Sequence, residues 1–406
     1  MSNFAFGTYR ISDLNPQHIE ALKEAIDSGI KMIDTSSNYT DGGAERAIAL
    51  AFREFDEDKR SQVEIVSKFG YIQGSNLISH KQEPIAEDVV EFNQECFHSI
   101  SKPFLHAQLS ESLKRLEMSR VDCYLIHNPE YYLIDAIKKG IDKDERLDEM
   151  YRRIEESFVG LEEEVKNGRI GSYGVSSNSF SLEQTNEEFL PYEDLITLAE
   201  NAAVVAGNTK HSFTTIELPI NLLEREGLKC ASWAKANGLR VLANRPLNAK
   251  YENMMFRLAD YDESREYYHH FNELMEVCDN DMLRPLYNLL EQLDANKHKF
   301  GWIGDYDTFL FTQIIPHMKK TLEALDEQNR DTMLNFIDLY LQEYRKMVAY
   351  ECSKNTKVQL KEFFKECNSS MQECALNFLI QRESVDYILV GMRKPTYVHQ
   401  ILSLEE

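Results

Sequence analysis

Residues 27–39 read DSGIKMIDTSSNY, and this stretch turns from helix to strand to site within thirteen residues. Gly29 sits where a helix would stop, because glycine takes the left-handed C′ conformation without a Cβ clash and lets the chain turn into a sheet. Ile30, Met32 and Ile33 then make a short apolar run that ends on a carboxylate, Asp34, with a phenol, Tyr39, five residues on. The same glycine-then-strand pattern recurs in KNGRIGSYGV (166–175) and ANGLRVLA (236–243).

Working outward, eight apolar runs are found: FAFGTYR (4–10), IKMID (30–34), VEIVSK (63–68), VDCYLIH (121–127), IGSYGVS (170–176), TTIELPI (214–220), LRVLA (239–243) and VDYILVG (385–391). Most are short and continuously apolar, which predicts strands covered on both faces. Between them lie helical stripes, such as Ile19, Leu22, Ile26 and Ile30, or Leu109, Leu113 and Leu116. Eight strands alternating with helices predict an α/β protein of the (β/α)8 TIM-barrel class. A doubly wound open sheet is the weaker alternative, since no G-x-G-x-x-G follows an early strand.

The chain has 406 residues, and such a barrel needs only about 250. The surplus predicts a large all-helical insertion between the seventh and eighth strands. The expected division is 1–249 with 371–406 as barrel and 250–370 as insertion. Because connections after a strand leave on the catalytic face, the insertion is expected to act as a lid or a wall of the substrate pocket, against the plainer reading of a peripheral appendage. Smaller additions occupy 71–102 and 128–147, and the first strand starts near Phe4 with no hairpin ahead of it to plug the barrel floor.

A net charge of −23 argues against nucleic acid or an anionic membrane as partner. No apolar run reaches the roughly 20 residues of a bilayer span, and no signal peptide is read at the N-terminus. Seven cysteines without a C-x-x-C are expected to be reduced thiols in a cytoplasm, with Cys367 and Cys374 as two ordinary helix cysteines. His269 and His270, adjacent on a helix, are expected to point to different faces and to share no metal; no metal site is predicted.

Asp34 ends the second strand, Lys68 the third and His127 the fourth. In a (β/α)8 barrel those ends lie on one face, where active sites are built. Singly, each has a structural explanation: a helix cap, a solvated lysine, a hydrogen-bonded histidine. Together they make chemical sense with Tyr39. A free phenol titrates at about pH 10 and exchanges protons poorly near neutrality. An ammonium nearby lowers that value, a carboxylate holds the ammonium, and an imidazole orients a carbonyl oxygen. The grouping suits protonation of a carbonyl oxygen as hydride reaches its carbon, or the reverse.

The stretches FGTYR, IDTSSNYTDGGAERAIALAF, IVSKFG, DCYLIHN, GRIGSYGVSSNSF, INLL, VLANRPLN and ALNFLIQRESVDYILVGMRKP together resemble the aldo-keto reductase superfamily over nearly the whole chain outside the insertion. The resemblance implies NADP, with NAD as the other option, lying across the barrel mouth. It implies Tyr39 as general acid/base with Asp34, Lys68 and His127. For the cofactor it implies Gly7, Thr8 and Tyr9 at the first strand and Ser176, Ser177 and Asn178 at the nicotinamide carboxamide. Gly391, Met392, Arg393 and Lys394 follow at the phosphates, the last two as candidates for a 2′-phosphate. Three places depart from the family pattern. Glu217 stands where Gln usually holds the carboxamide, and Asn244 and Arg245 stand where an aromatic residue often stacks. Tyr397, Gln400 and Ile401 replace the usual adenine-side residues.

The leading expectation is therefore a cytoplasmic NAD(P)-dependent oxidoreductase acting on a small carbonyl, aldose or alcohol. The competing one is a nucleotide-binding regulatory or scaffolding barrel working through its insertion. A Schiff-base barrel using Lys68 leaves Asp34, Tyr39 and His127 unexplained. Substrate, direction and oligomeric state are not legible.

Overall fold

The computed structural model describes residues 3–323 and 325–405. Eight strands close into a barrel: β1 (Phe4–Gly7), β2 (Met32–Asp34), β3 (Glu64–Phe69), β4 (Val121–His127), β5 (Ile170–Ser176), β6 (Phe213–Pro219), β7 (Arg240–Asn244) and β8 (Tyr387–Val390). Every neighbouring pair is parallel, from β1 on β2 round to β8 on β1. Each of the eight apolar runs coincides with one strand, three of the strands extending a residue beyond their run. Gly29, Gly168 and Gly238 all take positive φ (95°, 74° and 73°) at the stops of their helices, as the left-handed C′ position requires.

The helices bury the faces the sequence marks. Leu22 and Ile26 are buried on Pro16–Asp27, and Leu109, Leu113 and Leu116 on Lys102–Leu116. Inside the barrel, Ala5, Met32, Val66, Cys123, Leu125, Leu242 and Leu389 form one buried cluster. At the end opposite the strand C-termini the floor is polar. Arg240 Nη1 meets Glu64 at 2.6 Å and Nη2 donates to Thr215 Oγ1 at 3.2 Å, so an ion pair spans β3 and β7 at this end.

β5 and β6 approach unusually closely. A Cβ on Gly174 would lie 2.0 Å from the Thr215 carbonyl oxygen. Gly174→Ala should therefore force the strands apart and lower unfolding free energy by about 1–3 kcal/mol. Urea denaturation checks this; an unchanged midpoint would mean that the strands part freely here.

The 71–102 addition forms a three-stranded antiparallel sheet, Tyr71–Ile72, Cys96–His98 and Val90–Asn93, plus the helix Gly74–Gln82. The 128–147 addition carries the helix Tyr131–Lys138 and the start of Lys143–Lys166. Among the described residues no helix is long and apolar enough to cross a membrane.

The chain divides into two compact units, one reaching to Pro246 and resuming at Asn377, the other Leu247–Leu376. The second unit is not all-helical. It opens with a hairpin, Asn248–Tyr251 against Met254–Arg257. Glu252 and Asn253 turn it, both at positive φ (47° and 64°), the conformation a two-residue hairpin loop needs. Its helices surround a tyrosine-rich core of Tyr267, Tyr306, Tyr340 and Tyr344, crossed by the long helix Glu327–Gln359.

Two expectations are corrected here. Cys367 and Cys374 are joined in a disulfide: Cys367 lies ahead of the helix Met371–Ile380, and the turn between brings it back onto Cys374. The other five cysteines are free and buried. His269 and His270 do not diverge. His269 Nε2 and His270 Nδ1 each lie 3.4 Å from Glu273 Oε2, because positions three and four residues apart share a helix face.

Candidate active site

The register of the barrel brings a polar side chain to the C-terminal end of each strand from β2 to β7. Asp34 ends β2 beside Gly7 of β1, and the Thr8 hydroxyl donates to the Asp34 carbonyl at 2.9 Å. Lys68 lies near the end of β3, and His127, Ser176 and Glu217 are level across β4, β5 and β6. Asn244 ends β7.

Lys68 is fully buried and its ammonium has three oxygen neighbours. It pairs with Asp34 Oδ1, donates to the Thr35 carbonyl at 3.1 Å and lies 3.2 Å from Glu217 Oε2. The same nitrogen is 5.4 Å from the centre of the Tyr39 ring. Tyr39 stands edge-on to His127, ring centres 5.9 Å apart. The four expected catalytic groups thus converge.

The turn that delivers Tyr39 continues the β2–β3 ladder irregularly. Thr35 N–H bonds the Val66 carbonyl (2.8 Å) and Ser37 N–H the Lys68 carbonyl (3.3 Å). Thr40 and Asp41 then take positive φ. The Thr40 hydroxyl donates to the Ile11 carbonyl, and Asp41 Oδ1 accepts from Ser75 N and Oγ.

The electrostatics differ from expectation in one respect. Burial pushes the Tyr39 phenol above its ordinary value, and Asp34 and Glu217 add to this; the lowering pull of Lys68 does not prevail. Burial works against the Lys68 ammonium, but Asp34 and Glu217 outweigh it and hold the lysine charged. Asp34 is raised by burial and then by Glu217, against the pull of Lys68. His127 is held well below the usual imidazole range by burial and then by Lys68, so it is neutral.

Sequence reasoning missed the groups that position His127. Ser36 Oγ lies 3.1 Å from His127 Nδ1 and 2.7 Å from Asn38 Oδ1, and Asn38 in turn bonds Gln73. With Nδ1 engaged, Nε2 is the atom left for a substrate. Position 36 is two residues beyond Asp34, and the period-2 alternation of an extended segment was the available signal. On the other side the Tyr71 ring stands edge-on to His127, centres 4.8 Å apart, and edge-on to His98 and Tyr131, which stack on each other. His98 Nε2 donates to the His127 carbonyl at 2.8 Å.

Glu130 and Asn128 also gain roles. Glu130 is buried; its Oε2 accepts from Ser177 Oγ (2.8 Å) and its Oε1 from Asn178 N (2.9 Å). Asn128 donates to the Tyr71 hydroxyl at 2.6 Å and accepts from Asn178 Nδ2 at 3.2 Å. Both tie the start of the β4 loop to the end of β5.

The residues expected to hold a cofactor separate into groups. Ser176, Glu217 and Asn244 meet: Glu217 Oε1 accepts from Ser176 Oγ (3.0 Å) and Asn244 Nδ2 (2.9 Å). Among the described residues Asn244 Oδ1 stays buried without a partner, an acceptor suited to an amide N–H. Ser177 is turned to Glu130 instead, and Arg245 is paired with Glu224 at 2.6 Å. Gly7 and the exposed Tyr9 line the first-strand rim, Tyr9 packing edge-on to Tyr39 at 5.3 Å. Past β8, Gly391 is exposed, Met392 is buried, and Arg393 and Lys394 precede the N-terminus of the helix Pro395–Leu402. Basic side chains at a helix N-terminus suit a phosphate.

A family model of the Aldo/keto reductase family matches residues 3–278, and the chain belongs to that family. Aldo-keto reductase YhdN of Bacillus subtilis is 26% identical over 208 residues, which is 51% of this chain and 45% of that protein; the chain thus spans about half the length of that relative. Among solved structures, an aldo/keto reductase from Klebsiella pneumoniae in complex with NADP and acetate is 15% identical, with a TM-score of 0.48 over 100% of this chain and 87% of that one. The holo form of aldo-keto reductase AKR11C1 from Bacillus halodurans is 18% identical, with a TM-score of 0.41 over 72% of this chain and 77% of that one.

Proposed function

We propose that this protein is a cytoplasmic NADP-dependent oxidoreductase that reduces a small carbonyl compound or oxidises the matching alcohol. The observation that carries the reading is the convergence of Tyr39, Lys68, Asp34 and His127 at the mouth of the barrel. When bound, the cofactor supplies or accepts the hydride at the substrate carbon. Asn244 Oδ1, buried without a partner among the described residues, would accept from its carboxamide, and Arg393 and Lys394 would meet its phosphates.

The protein's own part is proton handling and orientation. His127, neutral and fixed through Nδ1, presents Nε2 to the substrate oxygen. Tyr39 gives its proton to that oxygen in reduction and takes it in oxidation, while the Lys68 ammonium steadies the phenolate. The proposed cytoplasmic setting rests on the five free cysteines, with the Cys367–Cys374 disulfide counting against it, and is tested by cell fractionation.

Fluorescence titration with NADPH and NADH tests the reading, with NADPH expected to bind; binding of neither removes it. Ser36→Ala should release the His127 ring and lower kcat about tenfold while NADPH affinity stays put. A kcat equal to wild type would mean that Ser36 does not hold the imidazole.

A further inference from the structure

Glu217 carries more than a cofactor contact. It is buried at the end of β6, and both its oxygens are engaged within the protein. Ser176 and Asn244 hold Oε1 from two neighbouring strands, at 3.0 and 2.9 Å. That grip aims Oε2 at the Lys68 ammonium, 3.2 Å away. Among the described residues Oε2 has no hydrogen-bond donor; the charge of Lys68 is what it faces. The lysine therefore sits between two carboxylates, one from β2 and one from β6.

A glutamine in this place would leave one ammonium against one carboxylate. With Asp34 and Glu217 both ionised, the cluster of Asp34, Glu217 and Lys68 carries a net single negative charge before Tyr39 ionises. A phenolate then adds a second. A like charge this near disfavours the ionised form.

We infer that Glu217 is a positioning residue: a second counter-ion of Lys68 that keeps Tyr39 in its protonated, proton-giving form and so biases the site toward carbonyl reduction. This rests on the oxidoreductase reading above. The groups that face Tyr39 leave little to oppose the bias. Asp34 from β2 and Glu217 from β6 are acidic, and Lys68 from β3 is the cation that pulls against them. His127 from β4 is neutral, Tyr9 from beyond β1 is a phenol that packs edge-on, and Ser176 and Asn244 from β5 and β7 are uncharged. Burial and both carboxylates act in the same direction on the phenol.

The sign of the test follows. Reduction needs the phenol and fails as pH rises through its ionisation; oxidation needs the phenolate and rises there. Removing the Glu217 charge stabilises the phenolate, so both limbs move to lower pH. In Glu217→Gln the alkaline limb of NADPH-dependent 4-nitrobenzaldehyde reduction should fall by about one to three pH units. Glu217→Asp, which keeps the charge, should stay near wild type. The ionisation of Tyr39 itself is read without substrate, from ultraviolet difference absorbance of each protein against its Tyr39→Phe counterpart. The Tyr39 signal should emerge at lower pH in Glu217→Gln than in wild type. Superposed difference curves for those two proteins would overturn the inference and mean that Glu217 is already neutral, its proton shared with Asp34. Absence of NADPH turnover in wild type would instead strike the oxidoreductase reading, and the absorbance titration would still decide the role of Glu217.

Discussion

Tyr39→Phe should lower turnover by about 10²–10⁴-fold, the usual range for loss of a positioned proton donor. The substitution removes one oxygen and nothing else. The ring keeps its edge-on packing with Tyr9 and His127, at 5.3 and 5.9 Å. Folding stability should therefore stay close to wild type, and so should NADPH affinity, because the phosphate and carboxamide contacts proposed at Arg393, Lys394 and Asn244 do not involve the phenol. Steady-state kinetics beside a fluorescence titration separate the two readouts. A variant with full turnover refutes Tyr39 as the proton donor.

Lys68→Met has the largest expected effect on the fold. The ammonium is fully buried against Asp34 and Glu217. Its loss leaves two carboxyls in the core, at a cost of about 3–5 kcal/mol if they stay ionised. They escape part of that cost by taking up protons, so the penalty depends on pH. Asp34 is already raised by burial and by Glu217, and without the opposing pull of Lys68 it rises further. A carboxyl whose folded value lies above its unfolded value of about 4 holds its proton better in the folded state. Its stabilising contribution is complete below the unfolded value and is lost as pH rises through the folded one. The gap to wild type should thus be small near pH 5 and widest near pH 8. Urea midpoints across that range measure it; a gap that narrows toward alkaline pH would contradict the picture.

Much of this molecule was legible before any coordinates. Each barrel strand falls on an apolar run to within one residue, because strands covered on both faces leave a continuous signal. Asp34, Lys68 and His127 were visible as ionisable residues that end such runs, and strand direction alone puts them on one face. What stayed hidden depends on side-chain direction or on residues distant in sequence. Ser177 and Ser176 are neighbours, yet alternation along the strand sends one to Glu130 and the other to Glu217. Arg245 looked like a cofactor contact until Glu224, 21 residues away, took its guanidinium. The Arg240–Glu64 pair spans 176 residues and is marked by no local motif. The hairpin at the start of the second unit was missed because Glu252-Asn253 is a weaker turn signal than the Asn-Gly type.

That half-buried pair of Arg240 and Glu64 bears on how the molecule can be used. Buried apolar side chains fill the bore, and an ion pair spans its far end. Reactants must come and go through one opening, so whatever sits deepest has to arrive first and depart last. Selectivity then belongs to the loops around that opening, which can be rebuilt without disturbing the staves beneath them.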